Sequence, residues 1–422
     1  AAGHSIGRVT AWNTVGAVAG TMLVGFIAIP RLGLTLSLAL LVILSCLIGV
    51  VAVVAGSTPG RRPVVIAVTV LIACASSALL LPRDKLGHVL AALESGTLAF
   101  YAEGAGGSVA VLEQETPAGD FRRLYIAGVS NSGDSLASRR YMRLQALLPL
   151  IVHPGAPSRA MVIALGTGIT CGALLADPGL EQRTCVELLP EVAAAAGEFS
   201  GNLGAPGDPR IDLRIADGRH ELLRSDEQWD LVTLEPPPPS AAGVVNLYSR
   251  EFYELVRARL SADGMLAQWW PLPTQNLEDS RSLVRSFIDV FPYVTLWSTE
   301  VHEMMLVGSM RPMPLDVARV RSRFARPDVA ATLEEVGIDS AAALLATWVT
   351  DRDGLVTFVG DSPPVTDDRP RIEVAPWLRP GEMARILPAV LAVTTDPPLL
   401  GADDAFAERV DRHRGELGLL FQ

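Results

Sequence analysis

Four strand-end features in the middle of the chain are of types that bind a nucleoside and move a proton. Gly166-Thr167-Gly168, with Gly172 one helical turn on, follows the apolar run Ala160–Leu165. It predicts a tight strand-to-helix turn whose bare backbone lets a nucleoside come close. Glu187 ends the next run, about 20 residues further on, where an acid can accept both ribose hydroxyls. Asp217-Gly218 ends a third run and Glu235 a fourth. The glycine spacing is GxGxxxG rather than GxGxxG. That suits an S-adenosyl ligand, which has no pyrophosphate to seat on a helix end, better than NAD.

These residues need a sheet to bring them together. Ala160–Leu165, Arg183–Glu187, Ile211–Ile215, Trp229–Leu234 and Gly264–Trp269 read as strands, interleaved with helices through Leu175, over Pro190–Phe199 and over Tyr248–Leu260. Such alternation predicts an α/β fold with a parallel sheet and right-handed crossovers, Rossmann-like, of the type S-adenosylmethionine-dependent methyltransferases use. Ligands then bind at the carboxyl ends of the strands. Ahead of the sheet, Arg139–Ile151 carries a helical stripe of Tyr141, Leu144, Leu147 and Leu148. Gly104–Thr116 and Phe121–Gly128 read as two strands turned by Pro117-Ala118-Gly119-Asp120. After the sheet come a strand at Val294–Trp297, small helices over 316–349 and a tail with one amphipathic stretch, Ala405–Leu417.

The 422 residues are 49% hydrophobic and only 19% charged, with a net charge of -11. This composition excludes a disordered chain and argues against a nucleic-acid partner. The apolar excess is local. No Asp or Glu precedes Asp84, and the first 82 residues carry only Arg8, Arg31, Arg61 and Arg62 as basic residues. Val9–Pro30, Leu32–Ala55 and Pro63–Leu81 are three runs of spanning length, connected at Pro30-Arg31 and Gly60-Arg61-Arg62. Gly16 and Gly20 form a small-xxx-small face suited to close helix packing. A signal peptide does not fit a long, repeated apolar region. The chain opens without Met directly before a spanning run, so the expectation is a piece of a longer membrane protein. The expected organisation is 1–82 transmembrane helices, 83–135 linker and small β domain, 136–312 nucleoside-binding domain, and 313–422 helical region and tail. None of the six His or four Cys stands at metal-ligand spacing, so no metal and no prosthetic group is expected.

Several runs in combination resemble the spermidine synthase (polyamine aminopropyltransferase) family, and especially its bacterial branch fused to transmembrane helices. They are LPLIVHPGAPSRAMVIALGTGIT (148–170), VELLPEV (186–192), ADGRHEL (216–222), WDLVTLEPPPP (229–239), NLYSREFYELVRARL (246–260) and VTDDRPRIE (365–373). The N-terminal NTVGAVAGTMLVGFIAIPRLG (13–33) resembles the fused branch. The resemblance implies transfer of an aminopropyl group from decarboxylated S-adenosylmethionine to an amine such as putrescine, with release of methylthioadenosine. It implies that Gly166 and Gly168 line the nucleoside, Glu187 holds the ribose, and Asp217 with Gly218 faces the adenine. Tyr141 would sit near the sulfonium or the amine, Glu235 would take the amine's proton, and Gln268, Trp269 and Tyr248 would lie along the acceptor groove. Glu235 follows the apolar run Leu231–Leu234, where desolvation would raise its pKa toward neutrality. Glu300, His302 and Glu303 follow a strand and are further acids and bases for the groove, Glu303 foremost.

The chain departs from the family pattern at three places. Ile169 or Thr170 stands where soluble members carry an Asp in the glycine loop, Pro238 where they carry a second acid after the fourth strand, and Met142-Arg143 where a Glu follows the tyrosine. Alternatives therefore stay open: intact S-adenosylmethionine as co-substrate of a methyltransferase or lyase, or a non-catalytic membrane sensor or transporter for a polyamine or nucleoside. Asp367-Asp368-Arg369-Pro370 reads equally as an element closing over the site and as a salt-bridged corner. The expected setting is the bacterial inner membrane, with the catalytic domain cytoplasmic, a lipid bilayer and a small amine as partners, and a homodimer.

Overall fold

The computed structural model describes residues 2–56, 61–116, 119–241, 243–373 and 378–420. The chain forms two compact units, Ala1–Ser130 and Asn131–Gln422.

In the first unit, α1 (Ala2–Leu23) runs through a π-helical turn at Val24–Ala28 into α2 (Ile29–Val54). Gly33 interrupts α2 at φ 78 and ψ 171, a backbone conformation essentially restricted to glycine. The sequence places the connection at Pro30-Arg31; the break falls just beyond, where the backbone has the freedom to turn. α3 (Arg61–Leu80) packs on α2. These helices are apolar all round and expose large side chains such as Trp12 at 71% and Phe26 at 76%, as membrane helices do. Ile6–Val54 and Arg61–Ala78 are long and apolar enough to cross a membrane. At Gly16 and Gly20 an added Cβ would meet nothing within 4 Å among the described residues, so the small-residue face packs on no helix described in this chain. Gly60, Pro117 and Ala118 of the expected connections lie outside the described residues.

α4 (Lys85–Leu93) leads into a four-stranded sheet: β1 (Thr97–Gly104), β2 (Gly107–Gln114), β3 (Phe121–Ile126) and β4 (Val129–Gly133), in that order. The sequence reading expects two strands here. It misses β1, where a register shift between Leu98 and Phe100 breaks the alternation, and the short, polar β4.

The second unit opens with α5 (Leu136–Val152), whose Ser135 cap accepts a hydrogen bond from the Ser138 amide. Then β5 (Arg159–Ile163), α6 (Ile169–Ala173), β6 (Gln182–Glu187), α7 (Pro190–Ala195), β7 (Ile211–Ile215), α8 (Gly218–Arg224), β8 (Trp229–Leu234), α9 (Arg250–Arg259) and β9 (Leu260–Pro271) alternate as expected. α10 (Leu277–Ile288), β10 (Tyr293–Glu300), β11 (Glu303–Ser309) and β12 (Leu315–Asp316) follow. After them come α11 (Val317–Phe324), α12 (Pro327–Glu334), α13 (Ala341–Leu345), β13 (Trp348–Asp351), α14 (Arg352–Val359), α15 (Met383–Leu391), β14 (Leu399–Leu400) and α16 (Asp404–Leu420). The sheet order is β13-β10-β11-β9-β8-β5-β6-β7. The five strands from β7 to β9 are parallel, and β11, β10 and β13 extend them antiparallel. The fold is therefore the Rossmann-like α/β sheet expected, enlarged by three strands. Buried side chains cover both faces: Leu144, Leu147 and Val162 lie in one core, Trp229, Phe252 and Trp270 in the other. The chain leaves β5 toward β6 and β7, then returns through β8 on the other side. The crevice between the ends of β5 and β8 is the topological switch point, where such sheets bind ligands.

Candidate active site

The turn after β5 is backbone under constraint. Ala164, Gly166 and Gly168 all have positive φ, at 73°, 54° and 80°. Glycine takes these values at no steric cost; Ala164 is a strained residue of the kind found at ligand sites. Gly172 has a different reason. A Cβ there would lie 2.0 Å from the backbone oxygen of Asn202, so the third glycine admits a neighbouring loop rather than a ligand. The Asn202 side-chain amide donates to the Thr167 carbonyl at 3.1 Å and the Ala196 carbonyl at 2.9 Å, pinning that loop to the turn. The sequence reading missed Asn202; its place between two glycines, Gly201 and Gly204, was the available signal.

Glu187 ends β6 beside this turn, with Val186 in register with Ile163. It is only 6% exposed, and its carboxylate accepts the Leu165 and Leu189 amides at 2.9 Å each. Burial pushes its pKa up, and the backbone amides oppose that push. Glu187 thus braces the glycine turn with the same carboxylate that would face a ribose. Asp217 is the N-cap of α8 and accepts the His220 amide at 2.8 Å, with its side chain 45% exposed. A Cβ on Gly218 would strike Ile163 Cγ2 at 2.4 Å, so α8 packs tightly against the end of β5.

Glu235 leaves the end of β8 next to β5, its amide donating to the Ile163 carbonyl at 3.4 Å. The Tyr141 hydroxyl, from α5, donates to Glu235 Oε1 at 2.6 Å. The Tyr141 ring stacks on Trp269 of β9, centroids 6.2 Å apart and planes 18° apart. Trp269 Nε1 in turn donates to Glu303 Oε2 at 2.8 Å. Met142 and Ile169 complete a buried apolar cluster with the two rings. The result is a cage with two aromatic walls, two carboxyls and an apolar floor. Desolvation pushes the Glu235 pKa up to about 8, partly offset by the Tyr141 hydrogen bond and reinforced by the charge of Glu303. Glu303 also rises to about 8, from burial first, against the Trp269 hydrogen bond and with Glu300 adding to it. An aromatic cage with carboxyls short of counter-charge is chemically a receptor for a cation.

The other sequence candidates surround the cage. Tyr248 is fully buried, its hydroxyl directed to the Pro237 carbonyl at 3.5 Å. Burial pushes its pKa far up, and the charges of Tyr253, Glu235 and Glu303 add to the shift. Gln268 is also fully buried: it donates to the Trp269 carbonyl at 3.0 Å and accepts from Tyr253 at 3.4 Å. That makes it a brace for the Trp269 backbone rather than a lining residue of an open groove, because alternate residues of β9 face opposite sides. His302 is exposed in the turn between β10 and β11, and Glu300 pairs with Arg140 at 3.8 Å.

No family model matches the chain. Among curated proteins, it is 28% identical over 201 residues to the polyamine aminopropyltransferase of Moorella thermoacetica, covering 45% of this chain and 70% of that protein. It is 26% identical over 218 residues to the polyamine aminopropyltransferase of Bacillus subtilis, covering 50% of this chain and 77% of that protein. Among solved structures, spermidine synthase from Thermotoga maritima aligns over 70% of this chain and 88% of its own, at 16% identity and a TM-score of 0.45. The chain is thus similar, over about half its length, to curated members of the spermidine synthase (polyamine aminopropyltransferase) family.

Proposed function

We propose that this chain is a membrane-anchored aminopropyltransferase that moves an aminopropyl group from decarboxylated S-adenosylmethionine to a small amine, releasing methylthioadenosine. The observation that carries the reading is Glu235, held by Tyr141 in an aromatic cage beside the glycine turn. Two aminopropyltransferase relatives support it. The amine reaches the site as an ammonium, which has no lone pair. Glu235 starts largely protonated near neutral pH. Arrival of an ammonium and a sulfonium favours its carboxylate, which then accepts one ammonium proton. The freed nitrogen lone pair attacks the aminopropyl carbon, the carbon–sulfur bond breaks, and its electron pair stays on sulfur as a neutral thioether. One proton leaves per turnover, through Glu235. Gly166 and Gly168 leave room for the nucleoside, and Glu187 holds the turn and takes the ribose. Glu303 and Trp269 hold the distal cationic end of the amine. The reading places the catalytic unit on the cytosolic side of the inner membrane, where S-adenosyl metabolites are made, and takes the working form as a homodimer.

Incubation of the purified protein with decarboxylated S-adenosylmethionine and putrescine tests this by mass spectrometry of products. Spermidine and methylthioadenosine are expected, and Glu235→Gln is expected to lose about 10²–10⁴-fold in rate. A variant as fast as the parent would refute the proton-acceptor role. A second reading has one observation in its favour: Ile169, at the start of α6, is fully buried and apolar beside the cage. An apolar residue there suits intact S-adenosylmethionine, whose carboxylate an acid would repel. S-adenosylhomocysteine among the products would select that reading.

A further inference from the structure

α4 has two faces. The inner face packs on the small sheet: a Cβ on Gly87 would lie 2.7 Å from Tyr101 Cδ2, and Ala91 is buried in the same cluster. The outer face carries Leu86, Val89 and Leu93, exposed at 39%, 44% and 75%. Their spacing of three and four puts them on one stripe. Arg83 and Lys85, both exposed, stand at its start.

What covers that stripe follows from where the helix is attached. α3 ends at Leu80, so α4 begins within a few residues of the end of an apolar helix. The sheet has a second tie to the same hairpin. Glu103 of β1 accepts the Thr35 amide at 3.3 Å and the Thr35 hydroxyl at 3.1 Å, and also the Tyr101 hydroxyl at 2.6 Å. Thr35 lies two residues past the Gly33 break, so the carboxylate caps the apolar helix that restarts there. Only glycine fits at 33, since a Cβ would fall 2.2 Å from Glu103 Oε2. α2 and α3 pack together across a short connection and so run antiparallel, which brings Thr35 and Leu80 to the same end. A carboxylate is costly within hydrocarbon, so Glu103 sets that end at the level of the headgroups. Arg31, Arg83 and Lys85 are exposed around it and complement anionic lipid.

We propose that α4 is an interfacial helix: Leu86, Val89 and Leu93 enter the outer acyl region of the bilayer and hold the small sheet flat on the membrane. This rests on α1–α3 being spanning helices. It gives the sheet a lipid-facing edge and commits the stripe to lipid rather than to a protein. Interfacial helices of this kind bury their apolar face about 5–10 Å deep.

The test uses the full chain in vesicles of phosphatidylcholine and phosphatidylglycerol. A fluorophore is placed at Val89→Cys or Leu93→Cys, and at Leu44→Cys in α2 as a deep reference, with Cys46 and Cys74 replaced by serine. Lipids carry nitroxides at a shallow or a deep acyl position. Labels at 89 and 93 are expected to lose emission mainly to the shallow nitroxide, and the label at 44 mainly to the deep one. Quenching at 44 with iodide reaching 89 and 93 would overturn the proposal and leave the spanning reading standing. Labels at 89 and 93 shielded from both lipid nitroxide and iodide would mean that protein covers the stripe, which also overturns it. No quenching at 44 would remove the spanning reading and this proposal with it.

Discussion

The Tyr141 hydroxyl donates to Glu235 Oε1 at 2.6 Å, joining a helix and a strand end that lie 94 positions apart in the chain. This bond favours the carboxylate over the acid, against the burial that drives the Glu235 pKa up to about 8. Replacing the phenol removes that restraint. In Tyr141→Phe the acid limb of the kcat/KM profile should move to higher pH. The rate near neutrality should fall about 10- to 100-fold, corresponding to ~1.5–3 kcal/mol for a hydrogen bond to a charged group. A fall in rate with no movement of the limb would place the role of Tyr141 in stacking on Trp269 rather than in tuning Glu235.

The same shift has a consequence for stability. Unfolded, the Glu235 carboxyl titrates near its ordinary value of 4.5; folded, it titrates near 8. Between these values the unfolded chain binds fewer protons, so stability falls as pH rises and levels off above the folded pKa. Glu303 behaves alike. The melting temperature of Glu235→Gln should therefore gain on that of the parent steadily from about pH 5 to pH 8. A constant difference across that range would show that Glu235 does not carry the shift.

Much of the parallel half of the sheet was legible because β5, β8 and β9 are largely buried on both faces and read as apolar runs, whereas the edge strand β7 is half-buried and alternates apolar with charged residues. The antiparallel half was legible only in part. Val294–Trp297 reads as a strand, but β11 and β13 do not, and nothing in the sequence marks that β11 pairs with β9 so that the Glu303 carboxylate meets the Trp269 indole. Residue type located the two ends of the cage, Glu235 and Trp269. The floor of Met142 and Ile169 was read as a departure from the family pattern, since a buried apolar residue carries no chemical signature of its own. Gly172 is the instructive error of emphasis: its spacing suggested ligand chemistry, whereas its structural reason is the Asn202 backbone.

That packing can be tested directly. Gly172→Ala pushes against Asn202, and Asn202 holds the Thr167 carbonyl of the glycine turn. Overpacking of this kind costs about 1–3 kcal/mol. The variant should melt earlier and bind methylthioadenosine more weakly by calorimetry. Gly197→Ala, whose Cβ would meet nothing within 4 Å among the described residues, should do neither. Equal binding by both variants would detach the Asn202 loop from the nucleoside turn.

Asp367 distinguishes a structural corner from a lid. It accepts from Arg219 at the start of α8 and from the Ser249 hydroxyl that caps α9, at 2.9 and 2.6 Å, while its own amide donates to Glu251 at 3.0 Å. Arg219 also donates to the Asn246 carbonyl at 2.9 Å. The segment is thus fastened to two helix starts, as a corner would be. The Arg219 and Asp367 side chains are 23% and 38% exposed, so the pair is worth about 1 kcal/mol or less. Asp367→Asn and Arg219→Ala should each lower the melting temperature slightly, and the double variant should cost less than the sum of the singles, because both remove the bond that they share. Turnover should stay within about twofold, a change well under 1.4 kcal/mol. A large loss of kcat with an unchanged melting temperature would instead assign the segment to closure over the substrate.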